Sequence, residues 1–127
     1  KGTVRGMHYE NIPDKNYKII KCIKGSLSDY LIDIRKGSKT FLKKIVFKLF
    51  EDDNKLILVP NKVAHGFQTL EANTSLLYMH TIMYNKNFEF GLNVLDPKLG
   101  IEWELPIKNL SERDLNFKNV KKTFNGI

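Results

Sequence analysis

Hydrophobic and polar positions alternate with a period of two over much of the chain, and helical spacing is almost absent. Successive strand side chains point to opposite faces, so this period marks strands. Residues 18–24 read as a strand that ends at Gly25-Ser26. From 27 to 35, Leu27, Asp29, Leu31 and Asp33 alternate with Tyr30, Ile32 and Ile34, and Lys36-Gly37-Ser38 supplies a turn. Over residues 40–50, Ile45, Phe47 and Leu49 alternate with Lys44, Val46 and Lys48. Glu51-Asp52-Asp53-Asn54 is a polar turn, and Leu56-Ile57-Leu58-Val59-Pro60 is a buried strand stopped by proline. Residues 75–84 form another strand. Short strands separated by turns predict a sandwich or barrel. Only the end reads as helical, with Ser111 at an N-cap and Asp114 three residues on, close to a capping box.

The strand at 75–84 carries the most information. Its period places Tyr78, His80, Ile82 and Tyr84 on one face, and Leu77, Met79, Thr81 and Met83 on the other. Polar aromatics on one side and aliphatics on the other point to a face that lines a cavity. The alternative is a pair of tyrosines with hydroxyls at a sheet rim.

The length of 127 residues suits one domain, residues 1–127, with a core of its own. No apolar run approaches the roughly 20 residues of a membrane helix, and no signal peptide is visible. Beginning at Lys1 rather than Met, the chain is expected to lack its native N-terminus. A lone cysteine, Cys22, excludes an internal disulfide and fits a reducing, cytoplasmic location. The net charge of +7 suggests nucleic acid, but the 18 Lys are scattered and only three Arg are present. Phosphate and base forks favour Arg, so a lysine-rich solvated surface is the better reading, with attraction of a small dianion as a further one.

Chemistry-bearing residues are few. His8 and His65 sit near glycines, and Pro60-Asn61-Lys62-Val63-Ala64-His65 places the second just past a strand end. His80 has no motif around it and reads as structural. His8, Glu10 and His65 could supply three metal ligands, but the tight His-x-His of metal-binding barrels is absent, so no metal is expected. No glycine-rich phosphate loop or Gly-x-Ser-x-Gly elbow occurs. Asp114 has a purely structural reading as part of a helix cap.

Six motifs in order resemble the dTDP-4-dehydrorhamnose 3,5-epimerases. Val4-Arg5-Gly6-Met7-His8-Tyr9 is similar to the family's Arg-Gly-Leu-His-Tyr/Phe, and Lys18-Ile19-Ile20-Lys21-Cys22 to its Lys-Leu-Val-x-Cys. Asp33-Ile34-Arg35-Lys36-Gly37-Ser38-Lys39-Thr40-Phe41 resembles Asp-Ile-Arg-x-x-Ser-Pro-Thr-Phe, and Ala64-His65-Gly66-Phe67 is shared outright. Leu95-Asp96-Pro97-Lys98-Leu99-Gly100-Ile101-Glu102-Trp103 and Leu110-Ser111-Glu112-Arg113-Asp114 complete the set.

The resemblance implies an all-β, cupin-type jelly-roll barrel with a short C-terminal helix. It implies an isomerase that inverts C3, C5 or both in an NDP-4-keto-6-deoxy sugar, without metal or other cofactor. His8 would be the general base, Asp114 its orienting carboxylate, Tyr78 the acid on the opposite face, and Lys18 the cation at the C4 oxygen. Arg5, Lys18, His65, Tyr84, Glu89 and Arg113 match substrate-contact positions. A nucleotide-sugar substrate and a homodimer are implied, with no nucleic-acid or membrane partner. Family members carry a further segment before the first motif. Glu10 stands where they have Gln, and Met79 where a Lys is common. Two rival readings follow: a sugar-nucleotide-binding cupin without catalysis, and a metal-dependent cupin oxygenase.

Overall fold

The computed structural model describes residues 1–13 and 16–127. The strands are β1 (Thr3–Glu10), β2 (Tyr17–Lys24), β3 (Ser26–Asp33), β4 (Lys44–Phe50), β5 (Ile57–Pro60), β6 (Val63–Thr69), β7 (Ser75–His80), β8 (Glu89–Gly91) and β9 (Asn109–Leu110). One short helix, α1, covers Glu112–Leu115. A larger sheet runs β4-β3-β6-β1-β8, with β9 added in parallel along β1, and a smaller one runs β5-β2-β7. The jelly-roll class is as expected. The two sheets do not close into a barrel, because β4 and β5 each keep an unpaired edge.

The middle of the larger sheet is covered on both faces, and β3 is buried along nearly its whole length, whereas β4 at the edge is largely exposed. On β3, Leu27 and Leu31 face the smaller sheet and join Ile20, Cys22, Val59 and Val63 in one apolar cluster. Tyr30 and Ile32 face the other way and pack with Val4, Met7, Val94 and Leu99 under the C-terminal third of the chain. Trp103 lies against Tyr30 at 4.5 Å between ring centroids. Each of these buried aliphatics contributes roughly 1.5–3 kcal/mol relative to exposure.

Four sequence expectations are corrected. β4 begins at Lys44 rather than at residue 40, because Asp33 gathers the preceding segment into turns. Its carboxylate accepts from the Ser38 and Thr40 hydroxyls at 2.6 and 2.5 Å, and its carbonyl accepts from the Leu42 N–H at 2.7 Å. His65 stands inside β6 rather than beyond a strand end. Lys62 takes a left-handed φ of 61°, which turns the chain straight from β5 into a new strand. The strand at 75–84 stops at His80. There the Thr81 N–H still donates to the Tyr17 carbonyl at 3.1 Å, but the Tyr17 N–H turns to the Thr81 hydroxyl at 3.0 Å, so a side-chain bond takes the place of the returning ladder bond. Tyr84 is therefore in a loop, outside the pleat that orders Tyr78 and His80. Finally, the capping box forms only by half. Ser111 Oγ accepts the Asp114 N–H at 3.1 Å, but the Asp114 carboxylate turns away from the helix.

Candidate active site

Two glycines let β1 and β6 approach closely where both histidines stand. A Cβ on Gly66 would lie 2.6 Å from Met7 Sδ and 2.8 Å from the Arg5 carbonyl oxygen. No side chain fits there. β1 also shifts register between Arg5 and His8, and the irregularity brings Arg5 and His8 onto the same cavity.

That cavity lies between the sheets and measures about 350 Å³. Arg5, His8 and His65 reach it from the larger sheet, Lys18 and Tyr78 from the smaller one, and Tyr84 and Glu89 close its end. Of the nine positions singled out in the sequence, seven line it and Asp114 sits directly behind it. Arg113 is drawn in through Glu89.

His8 is fixed from two sides. Its Nε2 donates to Asp114 Oδ1 at 2.6 Å, and Phe117 meets its ring edge-on at 5.8 Å. A carboxylate only accepts, so the neutral imidazole carries its proton on Nε2 and keeps Nδ1 basic. Asp114 is 1 % exposed and also accepts the Gly6 N–H at 3.1 Å. Burial works against its charge, but the bonds from His8, Gly6 and Ser111 outweigh that and hold the carboxyl below its usual range. Phe117 reaches His8 because Gly91 leaves room; a Cβ there would lie 2.1 Å from the ring.

His65 repeats the arrangement. Its Nε2 lies 2.9 Å from Asp29 Oδ2, both groups being buried. Asp29 Oδ1 has no hydrogen-bond partner among the described residues. A buried carboxylate oxygen left unpartnered is costly, so its charge acts on what surrounds it. Tyr78 is one such neighbour. Its ring stands edge-on to His65 at 6.0 Å and beside Phe67 at 6.3 Å. Burial of the hydroxyl, then the charge of Asp29, push the phenol well above the ordinary tyrosine value. Tyr78 is therefore a protonated acid at neutral pH. Burial lowers the Lys18 amine, while Glu10, Glu89 and Asp29 oppose that shift.

At the far end, Glu89 Oε2 receives the Tyr84 hydroxyl at 2.9 Å and Arg113 Nη2 at 2.8 Å. Arg5 Nη1 donates to the carbonyls of Val4 and Asn109 at 2.7 and 3.2 Å, which sets the guanidinium at the rim.

Sequence reasoning missed four groups here. His80 reads as structural in the sequence, yet it lines the cavity and lies 3.3 Å from Glu10 Oε1. Asp29 and Phe117 carried no motif, and Phe67 lay in the Ala64-His65-Gly66-Phe67 motif without being given a role. For Asp29 a signal existed: an acid on the same face of β3 as Leu27 and Leu31 must be buried and needs a partner. Glu10, one of three suggested metal donors, is bound instead to Asn16 Nδ2 and His80. No group of three or more His, Cys, Asp or Glu able to hold a metal is found among the described residues. No described helix is long and apolar enough to cross a membrane.

The sequence model of dTDP-4-dehydrorhamnose 3,5-epimerase matches residues 1–122. A dTDP-4-dehydrorhamnose 3,5-epimerase of Sinorhizobium fredii is 38% identical over 114 residues, covering 89% of this chain and 58% of the relative. The structure is similar to that of NovW, a 4-keto-6-deoxy sugar epimerase from the novobiocin gene cluster of Streptomyces spheroides. The TM-score is 0.89 at 28% identity, over 94% of this chain and 60% of the other. It is also similar to ChmJ, a 3'-monoepimerase of Streptomyces bikiniensis solved with dTDP-quinovose. There the TM-score is 0.87 at 32% identity, over 94% and 61%. The chain thus spans about three fifths of the length of the relatives it matches.

Proposed function

The chain belongs to the dTDP-4-dehydrorhamnose 3,5-epimerase family, and from that premise we propose that it epimerises a dTDP-4-keto-6-deoxy sugar beside the ketone. The observation that carries the proposal is the division of the site between two sheets. His8 comes from β1 of the larger sheet and Tyr78 from β7 of the smaller, and both line one cavity. A sugar ring lodged there has a base on one side and an acid on the other. That is what inversion at carbon demands.

The chemistry follows from the groups present. A proton on carbon next to a ketone is acidic because the resulting anion spreads onto oxygen. His8 Nδ1 takes that proton, and Asp114 stabilises the imidazolium it becomes. Lys18 donates to the oxygen as negative charge develops, an electrostatic contribution typically worth several kcal/mol. Tyr78 returns a proton from the opposite face. Abstraction and return leave His8 protonated and Tyr78 deprotonated, and the cycle closes when the imidazolium releases its proton to solvent and the phenolate takes one up; no oxidant is needed. Arg5 and Lys18 supply positive charge for the diphosphate and the enolate, and His65 hydrogen-bonds the sugar. Tyr84 offers a flat aromatic face to the base, with Glu89 and Arg113 setting its position.

Association as a homodimer is part of the same reading. Ile45, Phe47, Leu56 and Leu58 are exposed along the open flank between β4 and β5, which suits a self-association surface. Sedimentation equilibrium tests it: a monomer at all concentrations would refute it.

The decisive experiment follows dTDP-4-keto-6-deoxyglucose in D₂O by NMR with the protein added. Loss of the C3 and C5 proton signals is expected, and exchange at one carbon alone would make it a single-centre epimerase. Binding of the sugar nucleotide without any exchange would overturn the proposal in favour of a binding cupin.

A further inference from the structure

Lys18 must be protonated to serve an enolate, and its surroundings work against that. Burial lowers its amine, and no ion pair within 4 Å is formed by Lys18 among the described residues. Three carboxylates oppose the loss of charge: Glu10 most strongly, then Glu89 and Asp29. All three have other partners, which for Glu10 are Asn16 and His80, and Glu10 alone shares a small cleft with Lys18. Glu89 is shared by Arg113 and Tyr84, and Asp29 faces His65.

We propose that Glu10 is the counter-ion of Lys18, and that His80 and Asn16 are positioning residues that hold it there. The proposal rests on the reading of Lys18 as the cation at the reacting oxygen. Glu10 ends β1 and shares with Lys18 a small cleft floored by Val59 and Val63. His80 stands directly opposite Lys18 in the β2–β7 register, so it reaches Glu10 from the same side. Its Nδ1 is 3.3 Å from Glu10 Oε1. Asn16 Nδ2 donates to Glu10 Oε2, and Asn16 Oδ1 accepts the Thr81 hydroxyl at 2.8 Å. The carboxylate is thus held by His80 at the end of β7 and by Asn16 just before β2. The other groups around the amine are His8 and Arg5 on β1, His65 on β6, Tyr78 on β7 and Tyr84 in the loop beyond it. Of these Arg5 is the one permanent cation, and like charge only lowers the amine further.

The test reads Lys18 itself. Lysine labelled with ¹³C at Cε is titrated by NMR in the full chain, and the signal is assigned by its loss in Lys18→Gln. In Glu10→Gln the midpoint of the Lys18 titration falls by about one pH unit, the size expected of a lost opposite charge. Glu10→Asp, which draws the carboxylate back toward β1, gives a smaller fall and replaces the first variant if that one does not fold. His80→Phe lowers the midpoint, and His80→Gln, which can still donate to Glu10, restores it. An unmoved midpoint in Glu10→Gln or in His80→Phe would overturn the assignment. The titration needs no turnover, so it separates the two readings. A protein inactive in D₂O that still shows these shifts keeps the counter-ion and loses the epimerase. An active one with an unmoved Lys18 does the reverse.

Discussion

His8 Nε2 and Asp114 Oδ1 lie 2.6 Å apart across 106 positions of sequence. Asp114 is almost fully buried and serves three parts of the fold: the His8 ring, the Gly6 N–H and the first turn of α1. The C-terminal helix is short, and its function here is to deliver that carboxylate.

Replacing Asp114 by Asn should expose the difference between geometry and charge. The amide can present an N–H to His8 and so favours the wrong tautomer. Proton exchange of the keto sugar in D₂O should fall by about 10²–10⁴-fold. Asp114→Ala should in addition cost about 1–3 kcal/mol, because Gly6 and His8 lose a buried acceptor. Exchange kinetics and urea unfolding measure the two effects separately. An Asn variant with full activity would remove Asp114 from the proposed machinery.

Tyr78→Phe should separate abstraction from return. The ring contacts with His65 and Phe67 survive, so stability should change by less than about 0.5 kcal/mol. Exchange at one carbon should persist, while inversion should drop by at least about 10²-fold. The products are distinguished by NMR coupling constants. Normal inversion without the phenol would assign the acid elsewhere.

Gly66→Ala should strike fold and site together. The added methyl would press on Met7 Sδ and the Arg5 carbonyl, forcing β1 from β6 where both histidines stand. A loss of about 1–3 kcal/mol is expected, as for overpacked interiors. Activity should fall even at temperatures where the variant remains folded. Circular dichroism melts beside exchange assays give the answer, and wild-type values in both would contradict the close approach.

Asp33 should set part of the acid limb of stability. Arg35 donates to it through Nε and Nη2 at 2.9 and 2.8 Å, and together with Ser38 and Thr40 holds the carboxyl far below its usual range. A carboxylate with a depressed folded pKa stabilises above its unfolded pKa, about 3.9, and that stability is lost as pH falls below it. Asp33→Asn should therefore be less stable than wild type at pH 6, with a gap that narrows toward pH 3. Urea midpoints across that range test the slope, and a gap that stays constant would refute it.

The sequence by itself determined the class of fold and most of the residues that line the cavity. Period-two alternation is a local property, fixed by the pleat, so the strands around residues 20, 30, 45 and 58 were legible without any partner. The motifs carried His8, Lys18, His65 and Asp114 because residue type and order survive in a linear string, and the period of the strand at 75–84 singled out Tyr78. What only the tertiary structure decided is who meets whom. Asp114 could be a cap or an orienting acid until β1 and α1 came together, and it proved to turn its carboxylate to His8. The pleat reached Tyr78 and His80 but not Tyr84, because a hydrogen bond from Tyr17 to Thr81 ends the strand. Phe117 and the Glu10–His80 contact left no local trace at all, and for Asp29 the pleat signals burial but not the partner. Their partners lie on other strands, and the energy of a buried charge depends on everything packed around it rather than on its neighbours in the chain.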